Sequence, residues 1–265
     1  MPARTRQCPL CGSRGKKDKE DVIPRWLIAH MDSLGVGKAP KVILWVCNPC
    51  NARLNTNFEH PARDIIKAMV AGKAVGLDTE QQVIVGAWLA KTSLLMALKD
   101  AEYPTLGPLP RADRRLHAQR MVKDVIATKK PPIESLLLVG LFDEQLPINA
   151  TPPEDRTYIP STLPRLNFTG EFNFGRLYYQ LYIGKQARLL ALAKDLQRAS
   201  DRLIPIWPQG LDEVEWPPPK PFGIWDRAAS AAAWSTQSPP AVFGLPGKPK
   251  HNESHDARPS DGTAE

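Results

Sequence analysis

The chain has 265 residues, 42% hydrophobic and 24% charged, which excludes a wholly disordered or collagen-like protein. No uninterrupted apolar run reaches the roughly 18 residues of a membrane span, and the N-terminal MPARTRQCPLCGSRGKK lacks the apolar segment of a secretory signal. The net charge of +7 is unevenly placed: residues 1–75 carry 13 basic and 6 acidic residues, and residues 76–265 carry 22 of each. A basic segment beside a neutral one points to an anionic partner for that segment, nucleic acid first, although a merely solvated surface has the same charge. These features predict a cytoplasmic protein without membrane contact.

The cysteines are Cys8, Cys11, Cys47 and Cys50, two C-x2-C pairs with no other cysteine in the chain. A disulfide framework does not fit a chain without a secretory signal. Paired knuckles read as a tetrahedral four-thiolate zinc site, ahead of a redox dithiol or an iron–sulfur centre. Gly12 suits the tight turn after the first pair. Residues 14–19 are expected as a polar basic loop, and Lys41–Val46 (KVILWV) as a strand entering the second knuckle. Ala62, Ile65, Ile66, Met69 and Val70 share one helical face, which predicts a helix from Pro61 to Val70 closed by Gly72. Residues 1–75 thus form one zinc-stapled module.

Residues 76–216 are expected to form a mixed helix and strand region packed on that module. Thr79–Lys99 and Arg111–Thr128 read as helices, and Glu134–Phe142 and Phe172–Ile183 as strands. Lys185–Leu203 has the spacing of an amphipathic helix. From Pro217 to residue 265 the composition turns to Pro, Gly, Ser and His, and this segment is expected as a tail with little core. Trp216, Trp225 and Trp234 recur every nine residues and are candidates to dock its first part. The fold class is therefore α+β.

Between the knuckles stands Glu20-Asp21-Val22-Ile23-Pro24-Arg25-Trp26-Leu27; after the second come Asn51 and, eight positions on, Glu59. C-x2-C, E-x-V-I-P-x-W-L, C-x2-C-N and the later acid resemble a branch of the HNH endonuclease family over residues 8–70. WLAKTSLLMAL (88–98) and the IWP of 206–208 resemble that branch more loosely. The resemblance implies a treble-clef, ββα-metal fold and metal-dependent hydrolysis of phosphodiester bonds in DNA. Such chemistry needs a base to activate water, a cation to take up developing charge, and a group that orients the base. Carried over by position, Glu20 and Glu59 would bind a catalytic Mg²⁺ or Mn²⁺, and Asn51 would orient the base.

The sequence departs from the family where the base histidine should stand, because that position is Asp21. An aspartate beside a cation is a weak base at neutral pH. Asp21 could still act as a base or as a third ligand, His60 could take over, or the site could be silent. Three functions follow: a nuclease, which the matching Glu20, Asn51 and Glu59 favour; a catalytically inactive zinc-dependent DNA- or RNA-binding protein; or a zinc-stabilised module for a protein partner or a second copy of the chain. Trp26 and Trp45, with apolar neighbours, are expected in the module's core. His30, His117, His251 and His255 lack ligand spacing and receive no role.

Overall fold

The computed structural model describes residues 7–36, 41–100, 111–143, 168–184, 202–208 and 212–223. The expected helix 185–203 lies almost wholly outside these residues, as do Trp225, Trp234, His251 and His255.

The polypeptide is a mixed α/β structure. Strand β1 (Lys17–Asp21) pairs antiparallel with β2 (Ile43–Cys47), with helix α1 (Arg25–Leu34) between them. Residues 17–19 are therefore strand rather than loop. Helix α1 was not anticipated, yet its boundaries are written in the sequence. Pro24 sits at its N-cap, Gly35 closes it in the left-handed region at φ 67°, and Leu27 and Met31 are buried one turn apart.

After Cys47 the chain runs helically from Asn48 to Val70: α2 (Asn48–Leu54), a wide π-turn (Asn55–Glu59) and α3 (His60–Val70). The helix expected from Pro61 to Val70 is α3, with Pro61 in its first turn, but it continues from the preceding helical turns rather than starting afresh. Pro61 has no N–H to give and would crowd the preceding turn of an α-helix. The π-turn widens the helix there, and the His60 N–H donates to the Asn55 carbonyl, five residues back. The wider turn buries both Phe58 and Glu59.

Short strand β3 (Val75–Asp78) leads into helix α4 (Thr79–Asp100), which α5 (Arg111–Thr128) packs against. By length and composition Thr79–Lys99 could cross a membrane, but 72% of its apolar window is buried inside this protein, as in a core helix. Strands β4 (Ser135–Asp143), β5 (Phe168–Phe174), β6 (Leu177–Ile183) and β7 (Leu203–Trp207) form an antiparallel sheet in the order β5-β6-β4-β7. What reads as one strand over 172–183 is a hairpin. It turns at Gly175, φ 56°, where a Cβ would lie 2.9 Å from the Val70 carbonyl oxygen. That hairpin tip seats on the end of α3, with the Arg176 N–H donating to the same carbonyl at 3.0 Å.

Strand β8 (Glu213–Trp216) pairs with β3, and β9 (Phe222–Gly223) pairs in parallel with the end of β4, so paired strand structure continues past residue 217. One continuous apolar core runs from the cysteine module (Val22, Leu27, Leu54, Phe58, Ile66) through α4 (Trp88, Leu89, Leu95) to the sheet (Leu137, Tyr179, Leu181).

Candidate functional site

The first knuckle is shaped by its backbone. The Gly12 N–H donates to the Cys8 carbonyl and the Cys8 N–H to the Ser13 carbonyl, both at 2.8 Å, with Gly12 at φ 78°. The second is the junction of β2 with α2: Cys47 is the last residue of the strand and the N-cap of the helix, and Cys50 lies in the helix's first turn. The β1–β2 pairing carries the two knuckles together. The four Sγ atoms lie within 4.8 Å of one another, and Cys11 Sγ is 3.5 Å from Cys47 Sγ. A tetrahedral zinc with bonds of about 2.3 Å separates its sulfurs by about 3.8 Å, so the cysteines are positioned to hold such an ion. Hydrogen bonds from Ser13 hold the Cys11 thiol down at about 6. Burial, with the neighbouring sulfurs adding to it, pushes Cys50 up. Thiolates this close repel one another, and a cation among them would favour their ionised form.

The carboxylates occupy the inner face of the same module. Residues of a strand alternate between faces. Glu20, paired with buried Leu44, therefore points inward and is itself buried, while Lys19 and Trp45 form an opposed pair on the outer face. Burial pushes the Glu20 carboxyl up to about 7; the Lys91 ammonium pulls it down, and Glu59 and Asp21 add to the rise.

Glu59, delivered inward by the π-turn, is engaged at both oxygens. Its Oε2 accepts indole N–H bonds from Trp26 and Trp88, each 3.0 Å, and its Oε1 is ion-paired with the ammonium of Lys91. Lys91 is completely buried on α4, its Nζ 5.4 Å from the centre of the Trp88 ring. The Trp26 and Trp88 rings are 6.0 Å apart, and the Arg63 guanidinium lies 5.8 Å from the Trp26 ring centre.

The other residues singled out by sequence are dispersed. Asp21 accepts a 2.7 Å bond from Arg25 Nε, one helical turn on. Asn51 donates to Asp18 rather than to Asp21, at 2.9 Å, and this bond holds the exposed Asp18 carboxyl below its ordinary range. His60 is exposed on the first turn of α3. Among the described residues, only the four cysteines bring three or more ligand atoms of His, Cys, Asp or Glu into coordinating range. The arrangement gives no support to a catalytic divalent ion held by Glu59, since its charge is already met by an ammonium and both its oxygens accept hydrogen bonds from the protein.

Two side chains of this module and its packing partner escape a reading by sequence alone. Lys91 carries the only charge between Val83 and Leu98, in an otherwise apolar and small-residue run, and a lysine in the middle of a core helix demands a buried partner. Trp45 is the other: it is 44% exposed on β2 rather than part of the core, with the Lys19 Nζ 5.5 Å from its ring centre. His30, given no role, donates its Nε2–H to the Lys67 carbonyl oxygen at 3.0 Å.

Comparison with protein-family models, with curated proteins and with solved structures finds no match to this chain.

Proposed function

We propose that this chain is a zinc-stapled, treble-clef protein of HNH-like type that binds nucleic acid without cleaving it. The observation that carries the reading is the Lys91–Glu59 ion pair. In a ββα-metal site the acid on the helix faces a divalent cation. Here an ammonium of the protein occupies one oxygen of that acid and two indole N–H groups occupy the other. Asp21 stands at the base position and is turned to Arg25, and Asn51 holds Asp18. The base and the orienting contact that hydrolysis requires are thus both diverted. The order of knuckle, β1, α1, β2, knuckle and helix, with β1 and β2 paired, supports the treble-clef assignment. The basic excess of residues 1–75 supports the anionic partner.

The test is a pair of assays on the full-length, zinc-loaded protein. Supercoiled plasmid with added Mg²⁺ or Mn²⁺ should stay uncut by the parent and by Asp21→His, because a new imidazole gains nothing without its metal. DNA should be retarded in a gel without added divalent cation, with binding falling steeply along a salt series. Nicking by the parent that Glu59→Gln abolishes would restore the nuclease reading. Failure to retard any nucleic acid at low salt would hand the module to an acidic protein partner.

A further inference from the structure

The outer face of the β1–β2 ribbon is unlike the rest of the described surface. Leu34, Trp45, Leu116 and Ile133 are its exposed large hydrophobic residues, and Trp45 alone among them is aromatic. It stands on a strand, directly across from Lys19, whose ammonium lies 5.5 Å from the ring centre. Arg14, Lys16 and Lys41, close to the ends of these strands, are exposed, and the Arg25 side chain, beside the far end of β1, is 78% exposed. Zinc-bound cysteines at one end of the ribbon and buried Leu44 and Val46 beneath it would keep this face rigid. An exposed strand-borne indole with an ammonium against it, and further exposed cations near the ends of the same two strands, matches one ligand chemistry closely: an unpaired base to lie on the ring, with its flanking phosphates met by the cations. Base pairs inside a duplex hide their faces in the stack, so a strand-borne indole gains little from a duplex.

We infer that the outer face of β1–β2 is a base-stacking platform for single-stranded nucleic acid, with Trp45 as the stacking ring and Lys19 as the phosphate contact. The inference rests on the nucleic-acid-binding reading and adds the strand form and the residues. The incoming base takes the open side of the indole or displaces Lys19 from it. In the second case the ammonium swings to the flanking phosphate at no loss of charge contact.

The experiment is fluorescence anisotropy of labelled oligothymidine DNA, oligouridine RNA and a mixed-sequence duplex with the full-length zinc-loaded protein. The single strands should bind more tightly than the duplex. Trp45→Ala should weaken single-strand binding by roughly 5- to 150-fold, while Trp45→Phe, which keeps a ring, retains most of it. Lys19→Gln should reduce the slope of log affinity against log salt by about 0.7. Lys19 and Trp45 face solvent, so each variant should retain its zinc. If Trp45→Ala does not, Lys19→Glu, at an exposed position, must give the loss instead. A preference between DNA and RNA names the natural strand, and either supports the platform. Parent-like affinity in Trp45→Ala, or a duplex bound more tightly than both single strands, overturns the platform while leaving nucleic-acid binding intact. Absence of binding to all three probes overturns both.

Discussion

The helical run from Asn48 to Val70 passes two concentrations of charge, and the chain meets them in different ways. At its start, Cys50 joins three other sulfurs positioned to hold a cation from outside the protein. Midway, at the π-turn, Glu59 meets a cation that the chain supplies itself, Lys91 of α4. A metal centre brings strong, oriented bonding, and it opens or closes with metal and proton concentration. An internal ammonium is present as soon as the helices pack and cannot be exchanged. It also cannot polarise a phosphodiester, because it is buried and already spent on a carboxylate. The difference teaches why residues that resemble a catalytic set can be retained by packing: Glu59 joins the module to α4 as a structural contact, whatever the resemblance implies for it.

The largest expected effect breaks the external arrangement. Removal of the metal with a strong chelator, or Cys47→Ser, should unfold residues 8–70 while leaving the sheet around β4 and β6 more protected. Small four-thiolate modules draw about 10–16 kcal/mol from the metal at neutral pH, whereas β4 and β6 are buried strands paired with each other along their length, far in sequence from the cysteines. Elemental analysis should find one zinc per chain. Hydrogen exchange should show the β1–β2 amides opening before those of β4. Protected β1–β2 amides in a zinc-free chain would refute the comparison.

The next effect breaks the internal arrangement. Lys91→Met leaves a carboxylate buried without its cation, and breaking such a pair costs about 3–5 kcal/mol. Adding Glu59→Gln should recover a large part of that loss, because the amide oxygen still accepts the two indole N–H bonds. Urea unfolding of the two single variants and the double variant measures the coupling. If the losses simply add, Lys91 does not act through Glu59.

Glu20 sharpens the comparison, because it feels both Lys91 and Glu59 without a direct partner of its own. Burial raises its folded-state value from 4.5 to about 7. A group raised in the folded state favours folding at acid pH and loses that contribution as pH climbs through the folded value. Stability should therefore fall between about pH 4.5 and pH 7, by roughly 3 kcal/mol from this group alone. Asp18 and Asp21, the other acids facing it, oppose its ionisation in the same direction. Glu20→Gln should flatten the profile over that window when urea midpoints are compared at its two ends. An unchanged slope would place the titration elsewhere.

What could be read from sequence follows from how local each signal is. The cysteine pairs, α4, α5, β2 and β4 are set by spacing within a few residues; the structure places α4, α5 and β4 within one residue of the expected bounds and starts β2 two residues later than expected. The hairpin β5–β6 was hidden because Gly175 and Arg176 interrupt a run whose flanks are both apolar and aromatic. Local spacing gave the helix from Pro61 but not its continuity with the helical turns before it, which the wider turn provides while burying Phe58 and Glu59 together. Trp45 looked like core because its neighbours are apolar, but period-two alternation puts Leu44 and Val46 inward and the ring outward. The meaning of Glu59 depends on a partner 32 residues away. No motif within residues 8–70 contains Lys91, so resemblance over that segment could not supply it.

The smallest expected effect concerns the other ion pair of the site, Asp21 with Arg25. It has the same chemistry as Glu59 with Lys91 and a 2.7 Å contact, but the Arg25 side chain is 78% exposed. Water already solvates the guanidinium in the unfolded and folded chain alike, so pairing gains little, and such exposed pairs typically contribute about 0.2–1 kcal/mol. Arg25→Ala should therefore shift the urea midpoint only slightly, and the shift should shrink as salt is added. The Lys91→Met loss should persist at the same salt, because ions do not reach a buried pair. Equal salt sensitivity in the two variants would mean that water enters the Glu59 site. The ammonium there would then be exchangeable, and a divalent cation could compete for Glu59 after all.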